Sequence, residues 1–213
     1  MKITDACVYP YPAGDSTPAR MAFEARDLGF DSIVVAGGVR PSTGPEVLRG
    51  AVIGAASIKE VLKQVRDPAV RRADVVSVNA RDIAFNRAVV SIKEIQIVRG
   101  IHATQRNAFD HVAARTAAEH GVAVDISLAP IVLLRGTRRQ RALQRYADIL
   151  SLQRRYGFPL TISSDARSIL EQRSVRDVRG LCALFGMTGA EVSEALASVG
   201  RLVTPDTPVR VVE

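Results

Sequence analysis

The sequence predicts an α/β fold, a small, degenerate TIM-like (β/α) barrel with about seven parallel strands and a helical C-terminal part. Short apolar runs rich in β-branched residues alternate with amphipathic segments, at spacings of roughly 20 to 40 residues. Parallel strands need long crossover connections, which helices provide. An open doubly wound sheet is the alternative, although no GxGxxG or GxxxxGK[ST] motif favours a nucleotide-binding sheet. The length of 213 residues fits one domain, 1–213, and is short for a full barrel of about 250 residues.

Five of the predicted strands lie in the first half of the chain. The run SIVVA at 32–36 is typical of a strand covered on both faces, and Gly29 is typical of a helix stop. Residues 37–45 are broken by glycine and proline and predict a loop. Strands are predicted at 3–8, 32–36, 47–55, 75–79 and 95–98, and helices at 17–28, 57–66 and 81–90.

The second half of the chain predicts two more strands and mostly helix. Thr188 and Glu191 have the spacing of a capping box at the start of the last helix. No eighth strand is evident, and 204–213 is expected to be an irregular closing segment. Strands are predicted at 122–128 and 160–163, and helices at 107–120, 137–156, 175–185 and 188–199.

Positive charge is concentrated in one window. Residues 135–180 hold eleven arginines and four acids, a balance of +7 that equals the net charge of the whole chain. An excess confined to one window indicates a surface that meets a polyanion. The chain has 25 arginines and four lysines, a bias that suits RNA because guanidinium groups bind phosphate bidentately and stack on bases. A GC-rich genome is the alternative explanation for that bias.

The helix predicted at 137–156 carries two distinct faces. At about 100° per residue, Leu143, Tyr146, Ala147 and Leu150 share an apolar face. On the opposite side the spacing predicts an exposed arginine stripe, which is either a phosphate-binding surface or a solvated helix face. The stripe consists of Arg138, Arg141 and Arg145, and more arginines follow at Arg154, Arg155, Arg167, Arg173, Arg176 and Arg179.

The histidines and cysteines do not predict a metal site. His111 and His120 would lie about 180° apart on one helix and cannot share a metal ion. His111 follows Asp110 at a helix start, which suits either a polar contact at the barrel rim or a pair without function. The distant Cys7 and Cys182 predict two buried thiols in a reducing compartment.

A polar segment and a polar pair come after buried strands. Residues 163–167 read SSDAR at the face where barrels assemble their sites. Ser164 or Asp165 is expected to cap the next helix, and no GxSxG elbow supports a serine nucleophile. Asn86 and Arg87 are either a surface pair or a phosphate contact.

The absence of a signal-like n-region or a long apolar run predicts a protein that is neither exported nor membrane-spanning.

Several long motifs resemble the archaeal ribonuclease P protein component 3 family. They are FDHVAARTAAEHGVAVDISLAP, RALQRYADILSLQRRYGFP and TISSDARSILEQRSVRDVRGLCALFGMTGAEVSEALAS. The pieces TDACVYPYPAGDS, DLGFDSIVVA and VSVNARDIAFNRAVV are similar to the methanogen branch of that family. The resemblance covers nearly the whole chain and is most specific over 107–198.

The resemblance implies a TIM-barrel-like cytoplasmic subunit of the ribonucleoprotein that removes the 5′ leader of precursor tRNA. It implies that ribonuclease P RNA holds the catalytic centre, together with Mg²⁺, so the chain itself has no catalytic residue, metal or cofactor. The implied partners are that RNA, precursor tRNA and other protein subunits, especially one small protein that pairs with this one, and no membrane. The resemblance implies that Arg87, Arg106, Arg155, Arg173 and Arg176, with His111, bind RNA or a partner, and the charge pattern adds Arg138, Arg141, Arg145 and Arg167 to that prediction. At several positions where the family has lysine, this chain has arginine or a neutral residue, for example His120.

Two other functions remain open at the level of the sequence. A stand-alone metal-dependent phosphoesterase would need a ligand cluster at one mouth of the barrel. Its ligands would come from Asp5, Asp125, Asp165 and the three histidines. A scaffold that binds only proteins would instead associate with its partners in a salt-insensitive way.

Overall fold

Seven parallel strands form one sheet in sequence order in the computed structural model, which describes residues 2–37 and 44–203. Every neighbouring pair from the first strand to the seventh is parallel. The strands are β1 (Thr4–Val8), β2 (Ser32–Ala36), β3 (Glu46–Ile53), β4 (Val75–Asn79), β5 (Ile97–Arg99), β6 (Ala123–Ser127) and β7 (Leu160–Ser163).

The sheet curves until its first and last strands meet. Val8 and Ala166 form a parallel bridge, and the Tyr9 amide donates to the Ala166 carbonyl at 2.8 Å. The Asp165 amide donates to the carbonyl of Cys7 at 3.0 Å. The predicted barrel is therefore confirmed, and the open sheet is wrong. Within the described residues the sheet has seven strands, as predicted.

Helices connect the strands and cover the sheet. They are α1 (Pro18–Asp27), α2 (Ile58–Gln64), α3 (Pro68–Arg71), α4 (Ile83–Val89), α5 (His111–His120), α6 (Ala129–Leu133), α7 (Gly136–Tyr156), α8 (Val175–Ala183) and α9 (Gly189–Val203). The sequence did not predict α3 or α6, because four or five residues are too few to show a helical period. Most of the predicted 37–45 loop and the whole predicted tail 204–213 lie outside the described residues.

Apolar side chains fill the barrel at one end. One buried layer draws residues from six consecutive strands, and a layer shared by so many strands must lie inside the barrel. The C-terminal turns of α9 add Val199, Leu202 and Val203 to that layer, and α9 packs against β7 and β1. This helix thus completes the core at the place where a full barrel would have an eighth strand. The layer consists of Ala6, Val34, Leu48, Val75, Ile97 and Ala123.

The long helix α7 packs on the outside of the sheet much as predicted. Tyr146 and Leu150 are buried, whereas Leu143 and Ala147 are only partly buried against the core. Ala142 and Ile149 complete the buried face. The real contact stripe is therefore rotated slightly from the predicted one.

Local signals in the sequence explain several helix ends. The capping box is confirmed, because the Glu191 amide donates to Thr188 Oγ1 at 3.3 Å and the Thr188 amide donates to Glu191 Oε2 at 2.7 Å.

Cys7 and Cys182 are both buried free thiols, as predicted. Across the described ranges, no helix combines the length and the apolar composition needed to cross a bilayer.

Gly14 is expected to be essential to the contact between the loops that follow β1 and β7. A methyl group built on Gly14 would overlap the backbone carbonyl oxygens of Tyr9 and Arg167. We predict that Gly14→Ala lowers the unfolding free energy by about 1–3 kcal/mol, the usual cost of overpacking. Thermal denaturation measures this. Gly180→Ala is the control, because Gly180 lies in α8 with no atom within 4 Å of an added methyl, so no loss is expected there. Equal melting temperatures for the two variants would contradict the prediction.

Candidate functional site

An arginine closes the mouth of the barrel at the carboxyl ends of the strands. Arg99, the last residue of β5, is only 4% exposed. Its Nη1 lies 2.8 Å from Cys7 Sγ and 3.3 Å from Tyr9 Oη. Its Nη2 pairs with Asp165 and lies 3.5 Å from Asp125 Oδ2. The guanidinium group thus joins β1, β6 and the residues after β7.

Hydroxyl groups hold both carboxylates in place. Thr161 Oγ1 and Ser163 Oγ donate to Asp125 at 2.9 and 2.6 Å. Ser127 Oγ donates to Asp165 at 2.6 Å, and Asp165 has a positive φ of 52°. Burial raises the pKa of Asp125 to about 6, against the opposing effect of Arg99. Every strong acceptor of this cluster therefore has a donor, as a buried polar network requires.

The mouth does not offer a metal-binding constellation. Asp125 and Asp165 converge, but a guanidinium group stands between them. Asp5 is used elsewhere, since its Oδ1 accepts the amides of Ser164 and Cys7. In the described part of the chain no three residues of the types His, Cys, Asp and Glu are grouped as metal ligands. A metal-dependent phosphoesterase is therefore not favoured.

The expected helix cap after β7 is wrong. Ser164 Oγ accepts the amide of Ala166, and Asp165 binds Arg99. Ser168 caps the 3₁₀ turn Ile169–Glu171, and Ser174 caps α8. Asp165 was assigned wrongly because the sequence does not show that a buried cation needs its charge. A lone arginine ending the apolar run IQIVR was the only available signal for Arg99.

A groove between the outer helices brings several predicted residues together. Its volume is about 590 Å³, and it lies between the loop before α5, the start of α5 and the C-terminal half of α7. We call it the basic groove. Its lining includes Arg106, Asp110, His111, Asp148 and Arg155, with Phe109 and Leu152 among its apolar residues.

Arg87 joins the basic groove through Asp110. Its Nη2 and Nε lie 2.5 and 3.2 Å from the two carboxylate oxygens, a bidentate pair. Asp110 also caps α5 by accepting the Ala113 amide, and hydrogen bonding to Arg87 lowers its pKa. His111 Nδ1 is 3.7 Å from Asp110 Oδ2. Neighbouring Asn86 is fully buried and bonds to backbone at Arg81 and Ala108, so its suggested surface role is wrong.

Asp148 fixes two further arginines at the other side of the groove. It lies 3.6 Å from Arg106 Nε and 3.5 Å from Arg145 Nη1. The Arg145 side chain is 20% exposed and its Nε also reaches the Thr104 carbonyl. Its predicted place on an exposed stripe is therefore wrong, since it turns toward the loop before α5. Arg106 and Arg155 line the groove, and Arg87 and Arg145 pair with its two lining carboxylates, Asp110 and Asp148.

The other predicted residues lie on different elements. Arg138 and Arg141 are exposed in the first turns of α7, and Arg176 is exposed in α8. Arg167 donates to the Ala13 carbonyl at 2.9 Å and stacks 4.9 Å from the Tyr9 ring. Arg173 donates to two backbone carbonyls of its own loop. The guanidinium groups of Arg167 and Arg173 therefore already bind backbone carbonyls of the loops at the mouth of the barrel.

The fold and the basic groove together define a class of protein: a (β/α) barrel that presents cations on its outer helices. A family model described as RNase P subunit p30 matches residues 2–207. The chain belongs to this family of ribonuclease P protein subunits, which confirms the resemblance seen in the sequence.

Curated relatives and solved structures agree with this assignment. Ribonuclease P protein component 3 of Methanothermobacter thermautotrophicus is 31% identical over 163 residues, covering 76% of this chain and 66% of the relative. The protein of the same name from Methanosarcina acetivorans is 30% identical, with coverages of 93% and 87%. A chain of archaeal ribonuclease P with mature tRNA, solved by cryo-EM, has a TM-score of 0.77 at 17% identity, with coverages of 94% and 89%. Organophosphorus hydrolase from Deinococcus radiodurans, with a TM-score of 0.51 at 14% identity and coverages of 94% and 92%, shares only the barrel fold.

Proposed function

We propose that this subunit supports the catalytic RNA of ribonuclease P through the basic groove, which binds RNA phosphates. The main support is that Arg106, His111 and Arg155 line one groove although they come from a loop, α5 and α7, and that Arg87 of α4 pairs with Asp110 in the groove wall. Distant parts of the sequence converge on one cationic surface there. Phosphate contacts of this kind position a protein on RNA without reading its sequence.

The groove keeps a net positive charge, because Asp110 and Asp148 pair with Arg87 and Arg106 but leave Arg155 without an ion pair among the described residues. Arg106 and His111 have side chains that are 72% and 71% exposed, so water or phosphate reaches them freely. The guanidinium of Arg155 lies 5.4 Å from the Tyr156 ring, which limits its motion. Preorganised cations lose less conformational entropy when phosphate binds.

The remaining predicted residues are proposed to contact RNA or a partner protein at other places. Arg138 and Arg141 extend the cationic surface along α7, and Arg167, Arg173 and Arg176 do so beside the mouth. The partners are ribonuclease P RNA, precursor tRNA and other protein subunits, including one small protein that pairs with this one. Mg²⁺ belongs with the RNA on this proposal, cleavage is not performed by this chain, and the assembly works in the cytoplasm.

Neutralising the groove is expected to weaken RNA binding in a salt-dependent way. For Arg106→Ala combined with Arg155→Ala, the slope of log affinity against log salt should fall by about 1.4–1.8, because each phosphate contact contributes about 0.7–0.9. Precursor-tRNA cleavage by the reconstituted enzyme should slow at physiological salt. Fluorescence anisotropy with transcribed ribonuclease P RNA measures the affinity.

The matched control removes two exposed arginines elsewhere, Arg26 and Arg115, which lie on α1 and α5 outside the groove. The control lowers the net charge by the same two units as the groove variant, so a difference between the two variants depends on where the charges lie and not on the total charge. If both double variants lose the same slope, the groove is not the binding surface. Salt-insensitive assembly of the unaltered protein would instead favour a scaffold that binds proteins only.

A further inference from the structure

A second cluster of cations lies outside the arginine-rich window. Residues 57–72 carry five cations and only two acids, Glu60 and Asp67. All five cations are exposed, on or beside α2 and α3. We call them the α2–α3 surface, which consists of Lys59, Lys63, Arg66, Arg71 and Arg72.

We propose that the α2–α3 surface binds the phosphate backbone of ribonuclease P RNA as a contact separate from the basic groove. The proposal rests on the proposed function, since it extends the RNA-binding footprint of the same subunit. It assigns a role to cations outside the window 135–180, whose charge balance equals the net charge of the whole chain.

Helix geometry aligns the cations. Arg66 lies two residues beyond the end of α2, after Val65 in the αR conformation. If the turn of about 100° per residue is continued to it, Lys59, Lys63 and Arg66 fall within roughly 60° of one another. The opposite face packs inward, because Val61 and Val65 are buried. Residues three and four apart on a helix have Cβ atoms about 5–6 Å apart. The three charges therefore form a row along the outer side of the barrel.

These cations are free, unlike many in the arginine-rich window. Within 2–37 and 44–203, no ion pair or side-chain hydrogen bond engages Lys59, Lys63 or Arg66. The nearby acids bind backbone amides and not these cations: Glu60 Oε2 accepts a hydrogen bond from the Ala56 amide at 2.7 Å, and Asp67 Oδ1 accepts one from the Ala69 amide at 2.8 Å. The cations thus bind phosphate without first breaking a contact.

Several arginines of the window from 135 to 180 are occupied by comparison. Arg154 binds Glu191 and the Gly186 carbonyl, and Arg173 binds two carbonyls. Such side chains must give up a partner before they bind phosphate, whereas those of the α2–α3 surface need not. Charge density along the sequence is therefore a poor guide to which cations are available.

The chemistry of the surface favours RNA over an acidic protein. Two of the four lysines of the chain, Lys59 and Lys63, lie in α2. Lysine is depleted from the cores of protein interfaces, whereas it binds phosphate well as a point charge. A depression of about 690 Å³ lies beside them, and in it Leu62 is 42% exposed. One exposed leucine is a small apolar area for a protein interface, but it suffices to pack against a sugar or a base.

The surface also adjoins the basic groove. Helix α2 packs against α4, and α4 carries Arg87, which reaches the groove through Asp110. The two sets of cations therefore lie on neighbouring helices of the outer ring.

The test compares two triple variants in the full-length protein. Lys59→Gln, Lys63→Gln and Arg66→Gln remove the row, and glutamine keeps a high helix propensity. The control, Arg26→Gln with Lys93→Gln and Arg115→Gln, removes the same charge from exposed positions elsewhere. Affinity for transcribed ribonuclease P RNA is measured by anisotropy over a salt series. The first variant should lower the salt slope by about 2, which corresponds to three phosphate contacts, and the control should leave the slope unchanged.

The outcomes separate this inference from the proposed function. If the α2 variant matches its control while the groove double variant still loses slope, the α2–α3 surface does not bind RNA and the groove proposal stands. If the unaltered protein itself shows no salt-dependent RNA affinity, both fail. If RNA affinity is unchanged but copurification with another protein subunit is lost, the surface binds an acidic protein, which overturns the inference. Circular dichroism confirms that each variant is folded.

Discussion

Replacing Arg99 with methionine is expected to lower the unfolding free energy by about 3–5 kcal/mol, the usual cost of removing one partner from a buried ion pair. Methionine fills a similar volume, so lost packing contributes little. The loss comes from Asp125 and Asp165, whose charges would remain near the mouth without a cation. Asp125 is only 2% exposed, so water cannot replace the guanidinium group there.

The loss should depend on pH in a defined direction. Burial already raises the pKa of Asp125, and Arg99 is the main influence that opposes the rise. Without Arg99 the carboxyl group takes up a proton more readily, and a neutral carboxyl group costs less to bury. The deficit of Arg99→Met relative to the unaltered protein should therefore be larger at pH 8 than at pH 5.

Chemical denaturation at those two pH values measures both effects. Arg115→Met serves as the control, because Arg115 is 77% exposed and pairs with Glu119 within its own helix, so little change is expected. Adding Asp165→Asn to Arg99→Met removes one of the stranded charges and should recover part of the loss. A deficit as small as that of the control, or one that grows as pH falls, would contradict the assigned role.

The strands of the barrel could be predicted because burial on both faces leaves a clear mark on the sequence. Runs such as SIVVA are apolar throughout, since one face meets helices and the other meets the barrel interior. The capping box at Thr188 could be predicted because it depends on residues only three apart. The closure of β7 on β1 could not be placed from local patterns, because it joins Val8 to Ala166.

The candidate site was predicted only in part, because its contacts join residues that are far apart in the sequence. The resemblance to a family pointed to Arg87, Arg106, His111 and Arg155, which the fold brings to one groove, and their binding role stays a prediction. Helical periodicity placed Arg145 on an exposed stripe, but it could not foresee Asp148 and the Thr104 carbonyl as partners. Which cations are free depends on contacts in three dimensions.

Asp5 is expected to make the folded protein less stable as pH rises. Burial raises its pKa to about 7 from an ordinary value of 3.8, although its Oδ1 accepts the amides of Ser164 and Cys7. Between those two values the unfolded chain releases this proton while the folded chain retains it. Stability from this group is therefore complete below pH 3.8 and is lost as pH rises through 7. At about 1.4 kcal/mol per pH unit, the loss approaches roughly 4 kcal/mol.

Asp5→Asn should remove that loss, because asparagine keeps an oxygen for the two amides and does not ionise. We expect the variant to exceed the unaltered protein in unfolding free energy by about 2–4 kcal/mol at pH 8, with the difference shrinking toward zero near pH 4. Denaturant titrations across this range measure the difference directly, so ionisation of other groups cancels. Asp27→Asn is the control, because the Asp27 side chain is 70% exposed. A gain that is the same at every pH would show that Asp5 acts through its shape, and a variant that is less stable at pH 8 would show that its carboxylate is held ionised by its neighbours.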